Sequence, residues 1–251
     1  MNIDEIHVSL KNSDIKPGDT LLIHGDSVVA AQITEVPAKR RLSILFKEII
    51  KYLGENGTLV IPTFTYSLTK NKLFDVNNTK SSIGIFSEYF RNIPGTVRSS
   101  HPIFSMSAIG KKKNLFKKSN IKDCFGEKTA FDLLYHLNAK QMNLGCRFNL
   151  TFAHYVEQKF KVNYRYFKSF KGYIKKNKKK VLINTNYFVG DKKIKYKLNL
   201  EKLKKKLLKD NKLKVVPFGR LASYTVSSKN FFIYSKLILE KNPYGLIEEG
   251  N

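Results

Sequence analysis

Residues 152–158 read FAHYVEQ and place a histidine, His154, three positions before a glutamate, Glu157. In a helix, side chains at i and i+3 lie on one face, so these two can interact. A carboxylate that orients and polarises an imidazole makes it a better proton acceptor near neutral pH. The same pattern also suits a structural histidine in an apolar helix, and residue types alone leave both interpretations open.

Further polar stretches follow segments that read as buried strands. In open α/β sheets, ligands bind where the strands end, so we expect these stretches to converge there. They are HGDS (24–27), PTFTY (62–66), RSSHP (98–102), GCRFNLTFAHYVEQ (145–158) and PFGRLAS (217–223).

Strand-like and helix-like segments alternate through the first part of the chain, which predicts an α/β fold with a layered sheet flanked by helices. Apolar runs predict strands at Thr20–His24 and in GTLVIPTFTYS, and helical periodicity predicts a helix over residues 39–53. Further predicted helices begin at capping residues: Ser82 caps a helix over residues 84–92, Thr129 caps AFDLLYHLN, and Asn149 or Thr151 caps the helix that carries His154.

The C-terminal third is strongly basic. Residues 158–214 contain 21 Lys+Arg and 3 Asp+Glu, which accounts for +18 of the total net charge of +26. RYFKSFKGYIKKNKKKVLINTNYFV predicts a hairpin with KKNKKK at its tip, and NLEKLKKKLLKDN predicts an amphipathic helix. No linker or repeat divides the chain, so we expect a single domain over residues 1–251, with residues 158–214 as a basic hairpin and helix subregion.

Composition narrows the classes of function. The positive charge is typical of proteins that bind nucleic acid, anionic surfaces or anionic ligands, although lysine-rich surface loops also produce it. No apolar run can span a bilayer and no secretory signal pattern is present, so we expect a cytoplasmic protein. The two cysteines lack metal-ligand spacing, so no metal site is expected. Neither GxxxxGK[ST], GxGxxG, GxSxG nor the Q/RxxGxG/A turn of GNAT acetyltransferases occurs.

Five segments together resemble the aminoglycoside 3-N-acetyltransferase family, in family order and over about residues 16–240. They are GDTLLIHGDS, GTLVIPTFTYS, SIGIFSEYFRNIPGTVRSSHPIFSMSAIG, FGEKTAFDLLYHLNAKQMNLGCRFNLTFAHYVEQ and FGRLASYTVSSKNFF. The resemblance implies this family's layered α/β fold and acetyl transfer from acetyl-CoA to an amine, without a metal. It also puts His154 where these enzymes carry their active-site histidine, with Glu157 as its expected partner.

Roles for further residues follow from the resemblance and from the chemistry of acetyl transfer. We expect one group to bind acetyl-CoA or the thioester oxygen: Ser27, Thr63, Phe64, Thr65, Arg98, Ser99 and Ser100. We expect a second group to bind the acceptor: Asp26, Tyr66, His101, Glu127 and Arg220. The chain departs from the family pattern at Gly25-Asp26, Phe104 and Gly219–Ala222, which puts the acceptor in doubt more than the reaction.

The charge balance guides the prediction of the acceptor. Aminoglycosides are polycations and require acidic clefts, whereas this chain has 46 basic and 20 acidic residues,. We therefore predict a small-molecule amine acceptor of the nucleotide-linked amino sugar class, as used in cell-surface polysaccharide synthesis. An aminoglycoside acceptor is the alternative within the family, and a basic RNA-binding module is the alternative from another class. We expect no specific nucleic acid partner for the enzyme, and a homodimer is left open.

Overall fold

The computed structural model of the chain describes residues 1–250 and contains twelve strands and nine α-helices within that range. The strands are β1 Thr20–Gly25, β2 Thr58–Pro62, β3 Phe74–Asp75, β4 Val97–Arg98, β5 Met106–Gly110, β6 Lys140–Leu144, β7 Arg165–Lys176, β8 Lys179–Gly190, β9 Tyr196–Leu198, β10 Leu213–Phe218, β11 Leu221–Ser227 and β12 Ile247–Glu249. The helices are α1 Ile3–Asn12, α2 Val28–Ala31, α3 Ala38–Leu53, α4 Ile85–Arg91, α5 Lys113–Lys117, α6 Ala130–His136, α7 Ala153–Lys159, α8 Glu201–Lys209 and α9 Ser228–Lys241.

A seven-stranded central sheet has the order β10-β11-β6-β1-β2-β5-β4. Its centre is parallel, since β1 pairs in parallel with both β2 and β6, and the outer strands pair antiparallel. The three parallel strands therefore end at the same edge, which we call the carboxyl edge. The β4–β5 connection and the β10–β11 hairpin lie at this edge too, so the five polar stretches meet there as predicted.

Helices cover both faces of the sheet. Side chains alternate between faces along a strand, so Leu21 and Ile23 of β1 join a core with α1, α3 and α4, while Leu22 joins a second core with α5 to α9. All three side chains are fully buried. The predicted α/β fold with a layered sheet flanked by helices is therefore confirmed.

The basic segment forms the predicted hairpin and helix. Strands β7 and β8 make a ribbon of twelve residue pairs, from Arg165–Gly190 to Lys176–Lys179. Asn177 and Lys178 form the turn, both with positive φ, as two-residue hairpin turns require,. Two residues of β3 pair with β7 and attach the ribbon to the body of the protein.

Two predicted helix caps are wrong. Ser82 donates its hydroxyl to the Phe64 carbonyl instead, and Gly84 occupies the N-cap of α4 without a side-chain cap. Phe152 occupies the N-cap position of α7, also without a side-chain cap, in place of Asn149 or Thr151. The predicted Thr129 cap is confirmed, since its hydroxyl accepts the Asp132 N–H.

Candidate active site

The first turn of α7 presents a histidine and a carboxylate in direct contact. His154 Nδ1 lies 2.6 Å from Glu157 Oε2. Because a carboxylate only accepts hydrogen bonds, this contact requires the proton on Nδ1, and we assign that tautomer. The other ring nitrogen, Nε2, then carries a lone pair. No protein group among residues 1–250 hydrogen-bonds Nε2, and the side chain is 19% exposed. The imidazole is therefore held on one side and open on the other.

Two residues beyond the helix complete the surroundings of Glu157. Tyr164 donates its hydroxyl to Glu157 Oε1 at 2.9 Å, and Arg165 Nε lies 2.8 Å from Oε2, an ion-pair distance. Burial alone raises the pKa of Glu157, but the nearby His154 and Arg165 outweigh burial and hold this pKa below its usual value. Glu157 is therefore a fully buried, ionised carboxylate.

Arg165 sits between the carboxylate and the imidazole. Its Nη1 donates to the Phe188 carbonyl at 2.9 Å, and its Nη2 lies 2.9 Å from His154 Nδ1. Nδ1 cannot both donate to Glu157 and accept from Arg165. We assign the hydrogen bond of Nδ1 to Glu157, because that contact is shorter and its acceptor is charged. The guanidinium of Arg165 then affects the ring only through its positive charge. The ring therefore lies between a carboxylate and a guanidinium, two charges of opposite sign.

A cavity of about 360 Å³ opens at the carboxyl edge. Its lining reaches Thr151, three residues before His154 in the chain, but does not include His154 itself. Strand ends, the residues after β6 and the segment before α7 form its walls, and this volume falls in the range of small-molecule sites. Gly145 lies between the lining residues Asn143 and Cys146 and packs closely on α2, because its φ is +72° and a Cβ there would lie 2.5 Å from Val29. The polar lining residues are His24, Tyr66, Ser87, Asn143, Cys146, Arg147, Asn149 and Thr151.

The lining of this strand-end cavity contains no carboxylate. Arg147 is its one lysine or arginine. His24 is neutral at physiological pH, because burial lowers its pKa to about 4. A larger groove of about 910 Å³ runs between α3 and α4, but none of the five polar stretches lines it. The strand-end cavity is therefore the better candidate for substrate binding.

Comparison with known families agrees with this geometry. The model of the aminoglycoside 3-N-acetyltransferase family matches residues 31–240, which is most of the chain. The chain belongs to this family. It is therefore an N-acetyltransferase with acetyl-CoA as donor. No group of three or more His, Cys, Asp or Glu side chains within residues 1–250 is arranged to hold a metal, and no helix in that range could cross a membrane.

Solved structures share the fold of this acetyltransferase at low sequence identity. AAC(3)-Xa aligns with a TM-score of 0.81 at 18% identity, covering 98% of this chain and 94% of that one. AAC-IIIb, solved with CoASH, gives 0.80 at 17%, covering 96% and 97%. The YokD protein from Bacillus subtilis gives 0.78 at 19%, covering 96% and 93%. A comparison with curated proteins finds no match.

Four residues that sequence reasoning assigned to this acetyltransferase's cofactor or acceptor lie on the segment after β2. Phe64 and Tyr66 line the strand-end cavity. Tyr66 has φ +54°, a strained conformation that aims an aromatic residue at the cavity,, and burial raises its pKa. Thr63 and Thr65 are buried instead, and both donate their hydroxyls to backbone carbonyls of the β4–β5 connection.

The end of β1 supplies two more predicted residues. Asp26 is exposed, and its Oδ1 accepts the Val28 N–H at 2.9 Å. Ser27 is half-buried at the start of α2 and makes no capping hydrogen bond. Both follow Gly25, a lining residue of the strand-end cavity. They lie near the cavity without being among its lining residues.

Arg98 and Ser99 are held by internal contacts. Arg98 donates to the carbonyls of Thr63, Val76 and Thr79 and to the Ser105 hydroxyl. Ser99 is fully buried, and its Oγ accepts the Met106 N–H at 3.0 Å. In this conformation both side chains stabilise the β4 edge, and neither lines the strand-end cavity. Ser100 is buried as well, but its hydroxyl has no protein partner within residues 1–250.

The remaining predicted acceptor residues do not line the strand-end cavity. His101 Nδ1 accepts the Phe104 and Ile103 N–H groups, and its Nε2 donates to the Asp123 carbonyl at 3.1 Å. Burial lowers the pKa of His101 to about 4, so the ring is a neutral structural element. Glu127 and Arg220 are exposed, and Arg220 is at the β10–β11 hairpin.

Sequence reasoning missed Tyr164 and Arg165. Arg165 was counted with the basic hairpin, and no role was predicted for Tyr164. The chain reverses after α7, with Lys161 at φ +48°, and this reversal returns both residues to Glu157. An αL residue just beyond a helix is common at helix ends, but lysine gives no sequence signal for it. The available signal was a tyrosine and an arginine soon after a buried acid.

Proposed function

We propose that His154 is the general base of the acetyl transfer. An acceptor amine attacks the thioester carbonyl of acetyl-CoA only as the free base, and most amines are protonated at neutral pH. The amine that binds as the free base attacks the carbonyl carbon, and His154 Nε2 takes a proton from its nitrogen as the new N–C bond forms. The C–S bond then breaks, and the proton passes to the departing CoA thiolate. The observation that carries this proposal is the Nδ1 contact with Glu157, which leaves Nε2 as the free acceptor.

Glu157 is proposed to stabilise the imidazolium that forms during this transfer. The carboxylate is ionised, fully buried and fixed by Tyr164 and Arg165. A preorganised charge of this kind acts without rearrangement when the proton moves. Positioned general bases contribute roughly 10² to 10⁴ in rate. Ser27 remains our proposed donor to the thioester oxygen, because its hydroxyl lies near the cavity and is free of a capping bond.

For the acceptor, we infer an amino sugar carried on a nucleotide diphosphate. Arg147 is the one strongly basic side chain that lines the strand-end cavity, and no carboxylate lines it. A cavity with this charge attracts a pyrophosphate and repels a polycation. Asp26 directly follows Gly25, a lining residue at the end of β1, and is the acidic residue nearest in sequence to that part of the cavity wall.

An aminoglycoside acceptor is the second candidate, and the family favours it. Among the structures that share this fold is AAC-VIa bound to sisomicin, with a TM-score of 0.80 at 16% identity. At this level of identity the likeness concerns the fold, so the acceptor has to be tested on this chain.

The test measures CoA release by thiol titration with acetyl-CoA and two sets of acceptors, nucleotide-linked amino sugars and aminoglycosides. We expect turnover of a nucleotide-linked sugar, lost in His154→Gln. Arg147→Ala should raise the KM for that sugar but not for acetyl-CoA, while Arg40→Ala, exposed on α3 and outside the strand-end cavity, serves as the matched arginine control. Better turnover of aminoglycosides than of every nucleotide-linked sugar would contradict the inferred acceptor and leave the role of His154 intact.

A further inference from the structure

A second, smaller cavity of about 180 Å³ lies on the outer side of β4, away from the lining of the strand-end cavity. It is bounded by the edge strand, by the segment after β3 and by the tip of the β7–β8 ribbon. Its lining includes three basic residues and no acidic one: Arg98, Lys117 and Lys176, together with Thr96, Ser100 and Asn177. We call it the edge cavity.

Arg98 brings a buried charge without an acid partner to the edge cavity. Arg98 is only 7% exposed, and its guanidinium lies 5.0 Å from the centre of the Phe74 ring. No carboxylate within residues 1–250 forms an ion pair with it, and its hydrogen bonds go to carbonyls and one hydroxyl. Burial lowers the pKa of Arg98 to about 9. A buried cation is costly unless a counter-charge compensates it.

Two hydroxyls at the edge cavity are also without partners. Ser100 is 4% exposed, and neither its Oγ nor Thr96 Oγ1 has a hydrogen-bond partner within residues 1–250. Buried hydroxyls are rarely left unbonded in folded proteins, and an unmet one points to a missing ligand or water. A hydroxyl donates readily to an anionic oxygen.

The lysines at the rim are free to bind an anion. Lys117 and Lys176 are exposed, and neither forms an ion pair with another residue in the described range. The neighbouring acids are already engaged. Asp75 contacts Lys175 at 3.4 Å and accepts backbone N–H groups, and Glu88 pairs with Arg91. The protein therefore supplies positive charge and donors around the edge cavity but no internal anion.

We propose that the edge cavity is a binding site for a phosphate group. The buried Arg98 attracts the anion through its positive charge, and Ser100 and Thr96 donate hydroxyl protons to it. Lys117 and Lys176, at the rim, form ion pairs with it. The phosphate comes either from inorganic phosphate or from the 3′-phosphate of CoA. This site gives the lysine-rich tip of the ribbon a function, since pairing of β3 with β7 brings Lys176 to β4.

Titration calorimetry with inorganic phosphate, at ionic strength held constant with sodium chloride, tests the site without any acceptor. We expect wild type to bind phosphate and Lys176→Ala and Ser100→Ala to weaken binding about tenfold or more, the loss typical of one charged hydrogen bond. Lys171→Ala is the matched control, because it removes an exposed ribbon lysine outside the edge cavity and should bind as wild type does. Melting curves establish that each variant is folded.

A second arm separates the two sources by comparing acetyl-CoA with acetyl-3′-dephospho-CoA. If CoA supplies the phosphate, the wild-type KM is lower for acetyl-CoA, and the difference disappears in Lys176→Ala but persists in Lys171→Ala. Equal KM values together with calorimetric binding identify inorganic phosphate as the ligand. The proposal is overturned if phosphate does not bind and the KM values are equal, or if Lys171→Ala weakens binding as much as Lys176→Ala.

Discussion

Replacing Glu157 by glutamine tests the proposed catalytic pair most directly. The glutamine side chain is nearly isosteric and could still accept the Nδ1–H of His154, so the change removes charge and largely keeps shape. Glu157 is fully buried and directly contacts His154, Tyr164 and Arg165. We therefore expect Glu157→Gln to lower kcat strongly and to change the KM for acetyl-CoA little.

The size of the effect follows from the geometry. Two unit charges about 4 Å apart interact by about 4 kcal/mol at an effective dielectric constant of 20. Glu157 Oε2 lies 2.6 Å from Nδ1, so this is the scale of the stabilisation that the imidazolium loses. Arg165 Nη2, 2.9 Å from the same nitrogen, would then act unopposed. At about 1.4 kcal/mol for each tenfold change, kcat should fall roughly 10²- to 10³-fold.

The assay is steady-state CoA release, with melting curves to establish that the variant is folded. The double variant Glu157→Gln/Arg165→Gln provides the sharper comparison, because it removes the guanidinium that the single change leaves unpaired. We expect the double variant to be at least about tenfold faster than Glu157→Gln alone. A single variant within about threefold of wild type, or a double variant slower than the single one, would refute the proposed balance of charges around His154.

Three further predictions concern stability. Native His101 is neutral, with its pKa lowered to about 4, while the unfolded chain takes up that proton below about pH 6.5. The free energy of unfolding should therefore fall by up to about 3 kcal/mol from pH 6.5 to 4,, and denaturant titrations should find this slope reduced in His101→Gln. Tyr164→Phe removes the hydrogen bond to Glu157 and should cost about 1.5–3 kcal/mol of unfolding free energy,; an unchanged denaturation midpoint would show that the bond contributes nothing. Gly145→Ala forces a Cβ against Val29 at positive φ and should lower the free energy of unfolding by about 1–3 kcal/mol, measured by thermal melting,.

The parts of the fold with strong local patterns were predictable from the sequence. The β1 and β2 runs, the apolar stripe of α3 and the Thr129 cap all act within a few residues, and the structure confirms them. Helix α1 was missed although it carries a signal, since Asn2 and Glu5 form a capping box,. Ser82 was assigned to a cap because its alternative partner, the Phe64 carbonyl, is distant in sequence.

The sequence predicted contacts of the candidate site only where both residues lie on the same helix. The spacing of His154 and Glu157 on α7 predicted their contact, which the structure confirms. The contacts of Arg165 depend on the chain reversal after α7, and those of Arg98 on three carbonyls from other segments. No local sequence pattern indicates either arrangement, so Arg165 was grouped with the basic hairpin and Arg98 was assigned to the cofactor.

The polar groups that contact the proposed base and its carboxylate come from one short stretch of chain, from His154 to Arg165, whereas the walls of the strand-end cavity are assembled from several distant segments. The proposed base and the proposed acceptor cavity thus draw on largely different parts of the chain. Mutations in the loops at the carboxyl edge can reshape the acceptor pocket while the proton-transfer machinery stays intact. One scaffold of this kind can evolve toward new amines by loop variation alone, and laboratory selection for a new acceptor should begin with those loops.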